Sequence, residues 1–123
     1  ALHDRLATIR VLDPACGCGN FLVIAYREMR LIEIEVLREL QAGDKNLHLD
    51  VLSRVRVDVD QFFGIEVEEW PAQIAQAALW LVDHQMNMKV SAEFGQYLLR
   101  LPLRKSPTIV HGNALRTDWR ALC

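Results

Sequence analysis

A basic surplus is missing: 14 Lys and Arg stand against 16 Asp and Glu, leaving a net charge of −2 over 123 residues. A domain that grips duplex DNA unaided needs such a surplus, because neutralised phosphates supply much of the affinity. No apolar run approaches the roughly 18 residues of a membrane-spanning helix, so no membrane partner is expected. Charged residues as early as Asp4 and Arg5 argue against a cleavable leader. Cysteine is scarce and odd in number. Cys16 and Cys18 stand too close for an easy bridge, no C-x-x-C pair of a metal site occurs, and Cys123 and His111 are isolated. The expectation is no metal, and small buried thiols kept reduced in a cytoplasmic protein. No repeat or low-complexity segment is found. With 51% apolar and 24% charged residues, the chain is too hydrophobic for a disordered tail. Its length suits one packed core, with residues 1–123 as a single unit. It lacks an initiator Met and stops at Cys123 just after a structured-looking run, so that unit is expected to be a piece of a longer polypeptide.

What is present alternates between strands and helices. Residues 9–13 (IRVLD) form a short apolar run bounded by Pro14 and glycines, which reads as a buried strand. Residues 21–41 follow with helical spacing. Phe21, Ala25, Met29, Ile32, Val36 and Leu40 share one face, and Glu33, Glu35, Arg38 and Glu39 lie on the outer one. Asn20 suits the cap and Gly43-Asp44 the stop. Residues 47–59 fit either a strand or a helical turn, and a short helix or irregular connector is expected. Residues 62–66 (FFGIE) make a second strand. A second helix runs from Pro71, a first-turn residue, to about Lys89, with Ile74, Ala77, Ala78, Leu81 and Val82 as its buried stripe. Trp70 and Trp80 are expected to pack, and His3, His48 and His84 have no evident partners. Residues 91–107 show no period, and residues 108–111 (TIVH) make a third strand. Alternating strands and helices imply right-handed crossovers and a parallel sheet, so the fold class is α/β.

Ligands of such sheets bind outside the carboxyl ends of the strands. All three ends here are polar or glycine-rich. Gly17 and Gly19 allow positive φ and close backbone approach, but position 22 is Leu where a dinucleotide fingerprint wants glycine. The Gly-Lys-Ser/Thr ending of a triphosphate loop is also absent. Asp13 would repel a phosphate and suits a ligand with a positive charge. Taken alone, the loop reads more readily as a tight turn capped by Asp13. Glu66 stands where a carboxylate can accept from both hydroxyls of an adenosine ribose, or else serves as a cap beside Glu68 and Glu69. Asn113 could offer its amide to an adenine edge, or close an ordinary turn.

Taken together, the three strand ends resemble a known family. DPACGCGNFL (13–22) resembles the S-adenosylmethionine-binding loop of DNA adenine methyltransferases. FFGIEVEEWPAQIAQAALWL (62–81) and IVHGNALRTDW (109–119) resemble the two motifs that follow it in that family. The linking segments resemble those of large enzymes that fuse a methyltransferase to a restriction endonuclease. The resemblance covers nearly the whole chain. It implies a partial Rossmann-like methyltransferase fold with S-adenosylmethionine as cofactor. Asp13, Ala15, Gly17, Gly19, Asn20 and Phe21 would line the methionine part of the cofactor. Glu66 would hold the ribose hydroxyls, Val67 would pack on the adenine, and Asn113 and Ala114 would meet its edge. Cys18 departs from a commoner Ser, a nearly isosteric change expected to be tolerated. Asn113 departs from a frequent Asp and can still offer an acceptor.

The resemblance also identifies what is absent. The family's Asn-Pro-Pro-aromatic motif accepts hydrogen bonds from the target amino group and stacks on the flipped base, and no Pro-Pro occurs in this chain. No catalytic residue is therefore assigned within residues 1–123. Double-stranded DNA would be met by parts of the parent polypeptide outside them. The expected function is the cofactor-binding fragment of a site-specific methyltransferase acting on adenine N6 in a restriction-modification setting. Adenine over cytosine N4 is inherited from the resemblance. The alternatives are half of a nicotinamide-dependent oxidoreductase, or an interaction module without chemistry. The first strand would leave an open sheet edge, so the fragment alone is expected to self-associate.

Overall fold

A computed structural model describes residues 1–43, 52–95 and 105–123. The sheet has three strands, β1 (Val11–Asp13), β2 (Phe62–Glu66) and β3 (Thr108–His111), in the order β1-β2-β3. Both pairings are parallel, with Val11 opposite Phe62 and Glu66 opposite His111. The central strand is buried over Phe62, Phe63, Gly64 and Ile65, which is why it reads as an unbroken apolar run. The α/β class and the parallel sheet stand as the sequence implied.

β1 is shorter than the expected 9–13, and the reason lies in a helix that periodicity missed. Helix α1 (Leu2–Thr8) buries His3 and Leu6 and ends at Ile9. Its last carbonyls need donors, and Gln61 supplies them: its Nε2 donates to Leu6 O at 2.9 Å and to Ile9 O at 2.8 Å. Ile9 thus belongs to a helix end, and the strand starts two residues later.

Helix α2 (Asn20–Gly43) joins β1 to the connector, and α3 (Glu69–Phe94) joins β2 to the segment before β3. Gly19, rather than Asn20, takes the cap position of α2, since its carbonyl accepts the first helical bond from Val23 N at 2.8 Å. Helix α3 continues past Lys89 to Phe94 and stops at Gly95, whose φ of 65° is left-handed. The connector is irregular where described, with 3-10 turns at Leu52–Arg54 and Val59–Gln61. Residues 47–51, with His48, and residues 96–104 of the segment before β3 lie outside the described residues.

The helices pack through faces rotated from the expected ones. In α2, Met29 is buried as expected and Ala25 and Val36 pack against the core, but Phe21, Ile32 and Leu40 are exposed, and Leu22, Tyr26, Arg30, Glu33, Ile34 and Leu37 are buried instead. In α3, Val82 is buried as expected, but Ile74, Ala77 and Leu81 are exposed and Ala72, Ala75, Leu79, Asp83, Met86, Asn87 and Val90 are buried instead. Charge hidden between the helices explains the shift. Arg30 is fully buried; its Nη1 donates to Tyr26 Oη at 2.7 Å and Asp83 Oδ1 at 3.1 Å, and its Nη2 to Asn87 Oδ1 at 2.8 Å. Tyr26 in turn donates to Asp83, and burial pushes its hydroxyl pKa up.

Glu33, expected in solvent, is 1% exposed. Its Oε2 accepts from Arg56 N at 2.8 Å and Val57 N at 3.1 Å, and lies 3.3 Å from His3 Nε2. One carboxylate therefore ties α1, α2 and the approach to β2 together, and gives His3 the partner that the sequence did not suggest. Glu35, Arg38 and Glu39 are exposed as expected.

Candidate functional site

The three strand ends lie along one rim of the sheet, with β2 in the middle. Two strand spacings, about 10 Å, separate the outer ends. A ligand the size of a nucleoside spans that distance.

At the first end, Asp13 Oδ1 accepts from Ala15 N at 3.0 Å and starts the loop as an Asx turn. Cys16 N donates to Ile65 O at 3.1 Å, fastening the loop to β2. Positive φ angles at Gly17 (54°) and Gly19 (87°) then turn the chain into α2. The two glycines serve different ends. A Cβ on Gly19 would stand 3.0 Å from Ala75 Cβ, so glycine there lets α3 approach. A Cβ on Gly17 would meet nothing within 4 Å. Its backbone conformation still favours glycine, and the space above it is open. Asn20 and Phe21, the first residues of α2, are both exposed.

Cys16 points inward beneath the loop, and burial pushes its thiol up to about 11, with the Asp13 and Glu66 carboxylates adding to the effect. Cys18 sits on the outward turn and is exposed, so only one of the two thiols is buried as expected. Among the described residues no cluster of His, Cys, Asp or Glu could hold a metal ion.

Glu66 joins the first end to the second. Its Oε2 accepts from Gly17 N at 2.8 Å and its Oε1 from Glu68 N at 3.2 Å. An ionised carboxylate has about four acceptor positions, so both oxygens retain capacity for further donors. Val67, next along, is 65% exposed.

At the third end, Gly112 N donates to Glu66 O at 2.8 Å, and His111 Nε2 lies 3.0 Å from Val67 O. Asn113 Oδ1 accepts from Leu115 N at 2.9 Å, and its carbonyl from Arg116 N at 2.9 Å. Ala114 O accepts from Trp119 Nε1 at 2.8 Å. The turn reading of Asn113 is therefore realised. Its amide nitrogen and a second lone pair are what it has left for a ligand.

Hydrogen bonds thus connect Asp13 with Ala15, and Gly17 with Glu66. Strand pairing places Asn113 and Ala114 beyond the same rim. Trp70, expected to pack, is 72% exposed on the first turn of α3; Trp80 does pack against the core. Two contributors went unread in the sequence. Gly64 is one: a Cβ there would stand 2.8 Å from Cys16 Sγ, and a glycine inside an apolar strand is a known sign of such close approach. His111 is the other, and it carried no signal.

A parallel sheet with a glycine loop after its first strand and an acid at the end of its second has the arrangement of the ligand-binding half of a doubly wound α/β fold. The family model of the MmeI DNA-methyltransferase domain matches residues 1–123, and the chain belongs to that family. DNA methyltransferase A of Bacillus subtilis (strain 168) is 38% identical over 123 residues, covering 99% of this chain and 14% of that protein. The adenine-specific methyltransferase PglX of Streptomyces coelicolor is 30% identical over 71 residues, or 58% of this chain and 5% of that protein. The solved structure of the Type IIL restriction-modification enzyme MmeI in complex with DNA superposes with a TM-score of 0.90 at 59% identity, over 98% of this chain and 16% of that one. The chain therefore has the partial Rossmann-like fold of a DNA methyltransferase, and it spans a small share of these relatives' length. Nothing in these matches favours the oxidoreductase alternative.

Proposed function

We propose that residues 1–123 form the S-adenosylmethionine-binding part of a methyltransferase that acts on N6 of adenine in DNA. One observation carries this reading. Glu66, at the middle strand end, is bonded through Oε2 to Gly17 N, with open space above Gly17. A sulfonium cation and a ribose diol both suit that arrangement. Asp13 and Glu66 favour the positive charge, and the free lone pairs of Glu66 accept hydroxyl donors. In this reading Asp13, Ala15, Gly17, Gly19, Asn20 and Phe21 line the methionine part. Val67 packs on the adenine, and Asn113 and Ala114 meet its edge.

The cofactor supplies an electrophilic methyl group when bound. The residues named here bind and orient it, and orientation is a large share of what such a transfer needs. The target base must leave the duplex stack, at a cost of a few kcal/mol, and groups outside this chain would receive it. That the MmeI structure was solved in complex with DNA supports duplex DNA as the parent's partner. The adenine-specific name of the Streptomyces relative supports adenine. Among the described residues no helix is long and apolar enough to cross a membrane, and we place the parent in the cytoplasm.

Tritiated S-adenosylmethionine incubated with the full-length protein and mixed-sequence duplex tests this reading. Label should appear in N6-methyladenine after digestion, and the 123-residue chain alone should transfer none. Label in N4-methylcytosine would overturn the adenine assignment. Transfer by the chain alone would show that it contains catalytic groups not identified here. Absence of cofactor binding by the full-length protein would favour the interaction module.

A further inference from the structure

We propose that His111 is a positioning residue of the adenine slot, a role that rests on the cofactor reading above. The ladder between β2 and β3 ends where Gly112 N donates to Glu66 O at 2.8 Å. One residue further, Val67 presents a carbonyl that the ladder cannot reach, because residues 113–117 fold into their own turn through Asn113. The His111 ring fills that place, with Nε2 at 3.0 Å from Val67 O. A carbonyl only accepts, so Nε2 carries the hydrogen and donates.

His111 faces Glu66 in the strand register. Its ring therefore extends the pairing of β2 and β3 past the last backbone bond, using a side chain as the donor. The consequence falls on the ligand. Val67 is 65% exposed, and in the cofactor reading it forms one wall of the adenine slot, with Asn113 as the other. The bond from His111 fixes the peptide after Val67, and with it the direction of the Val67 side chain and the separation of the two walls. Without that donor the carbonyl turns to solvent and Val67 gains freedom that binding must remove.

Gln offers an amide N–H at a reach similar to that of the imidazole Nε2, whereas Leu keeps the bulk and loses the donor. The test is calorimetric titration of S-adenosylhomocysteine into the full-length protein and its His111→Gln and His111→Leu variants, with a ligand-free melt of each. The expected result is that His111→Leu binds roughly three- to tenfold more weakly, the span expected for one lost hydrogen bond. His111→Gln should stay within about twofold of the parent, and the ligand-free melts of the two variants should coincide. Equal affinities for all three proteins would overturn the role, as would a Gln variant as weak as the Leu variant. Failure of the unmutated protein to bind would instead overturn the cofactor reading itself.

Discussion

Glu33 shows most clearly how one side chain organises this chain. Its carboxylate receives two backbone N–H groups from Arg56 and Val57 while lying beside the buried Arg30 and His3. Removing one partner of a buried ionic cluster leaves uncompensated charge, which costs about 3–5 kcal/mol. Glu33→Ala should lose that much in denaturant unfolding, whereas Glu35→Ala, on the exposed pair with Arg38, should change little. Cys16 yields a second prediction at this scale. Its folded pKa of about 11 lies above its ordinary value of 9.0. The folded chain thus holds the thiol proton more tightly than the unfolded one. Stability from this group is complete below pH 9 and declines as the pH rises towards 11. At pH 7.5 a thiol reagent should label the exposed Cys18 and Cys123 in the native protein, and Cys16 only after unfolding. Labelling of native Cys16 at the rate of Cys18 would contradict this.

The elements differ in how far they could be read from composition and period. Residues 62–66 agree with β2 because a parallel strand covered on both faces is an apolar run with an abrupt polar end, and residues 108–111 agree with the half-buried β3, whose β-branched run ends at the exposed His111. Helix faces were much less legible. Apolar spacing leaves Arg30, Glu33, Asp83 and Asn87 off the buried stripe, yet all four are buried: Arg30, Asp83 and Asn87 bond to one another, and Glu33 accepts from Arg56 N and Val57 N. That pairing depends on two helices meeting, which no single segment encodes. The strand ends were the most legible part, since glycines and acids are out of place in a core, but Gly64 and His111 act through neighbours far along the chain. Gly64→Ala is the corresponding prediction. Its Cβ would meet Cys16 Sγ at 2.8 Å and Cys16 Cβ at 3.1 Å, and Cys16 is held by its bond to Ile65 O. Overpacking of this kind costs about 1–3 kcal/mol. The glycine loop should shift with it, so a lower melting temperature should accompany weaker cofactor binding in the full-length protein. An unchanged melt with unchanged affinity would mean that the loop has room to move.

At the scale of the whole molecule, the three strands and two long helices of the described residues leave apolar surface in contact with water. Among the described residues β1 pairs with β2 alone. Ile24, Ile32, Trp70, Leu81, Met88 and Leu115 are all exposed. An open edge and scattered apolar faces favour association. The isolated 123-residue chain should therefore show a scattering mass that rises with concentration, and a constant monomer mass would contradict this. Glu66 holds the glycine loop through Gly17, and we propose that it binds the ribose of S-adenosylmethionine at the same time. Calorimetric titration of S-adenosylmethionine into the full-length protein and its Glu66→Ala variant tests it most directly. Two lost charge-assisted hydrogen bonds, each worth about 1.5–3 kcal/mol, predict binding weaker by a factor of roughly 100 or more. Equal affinity in the two proteins would contradict the account.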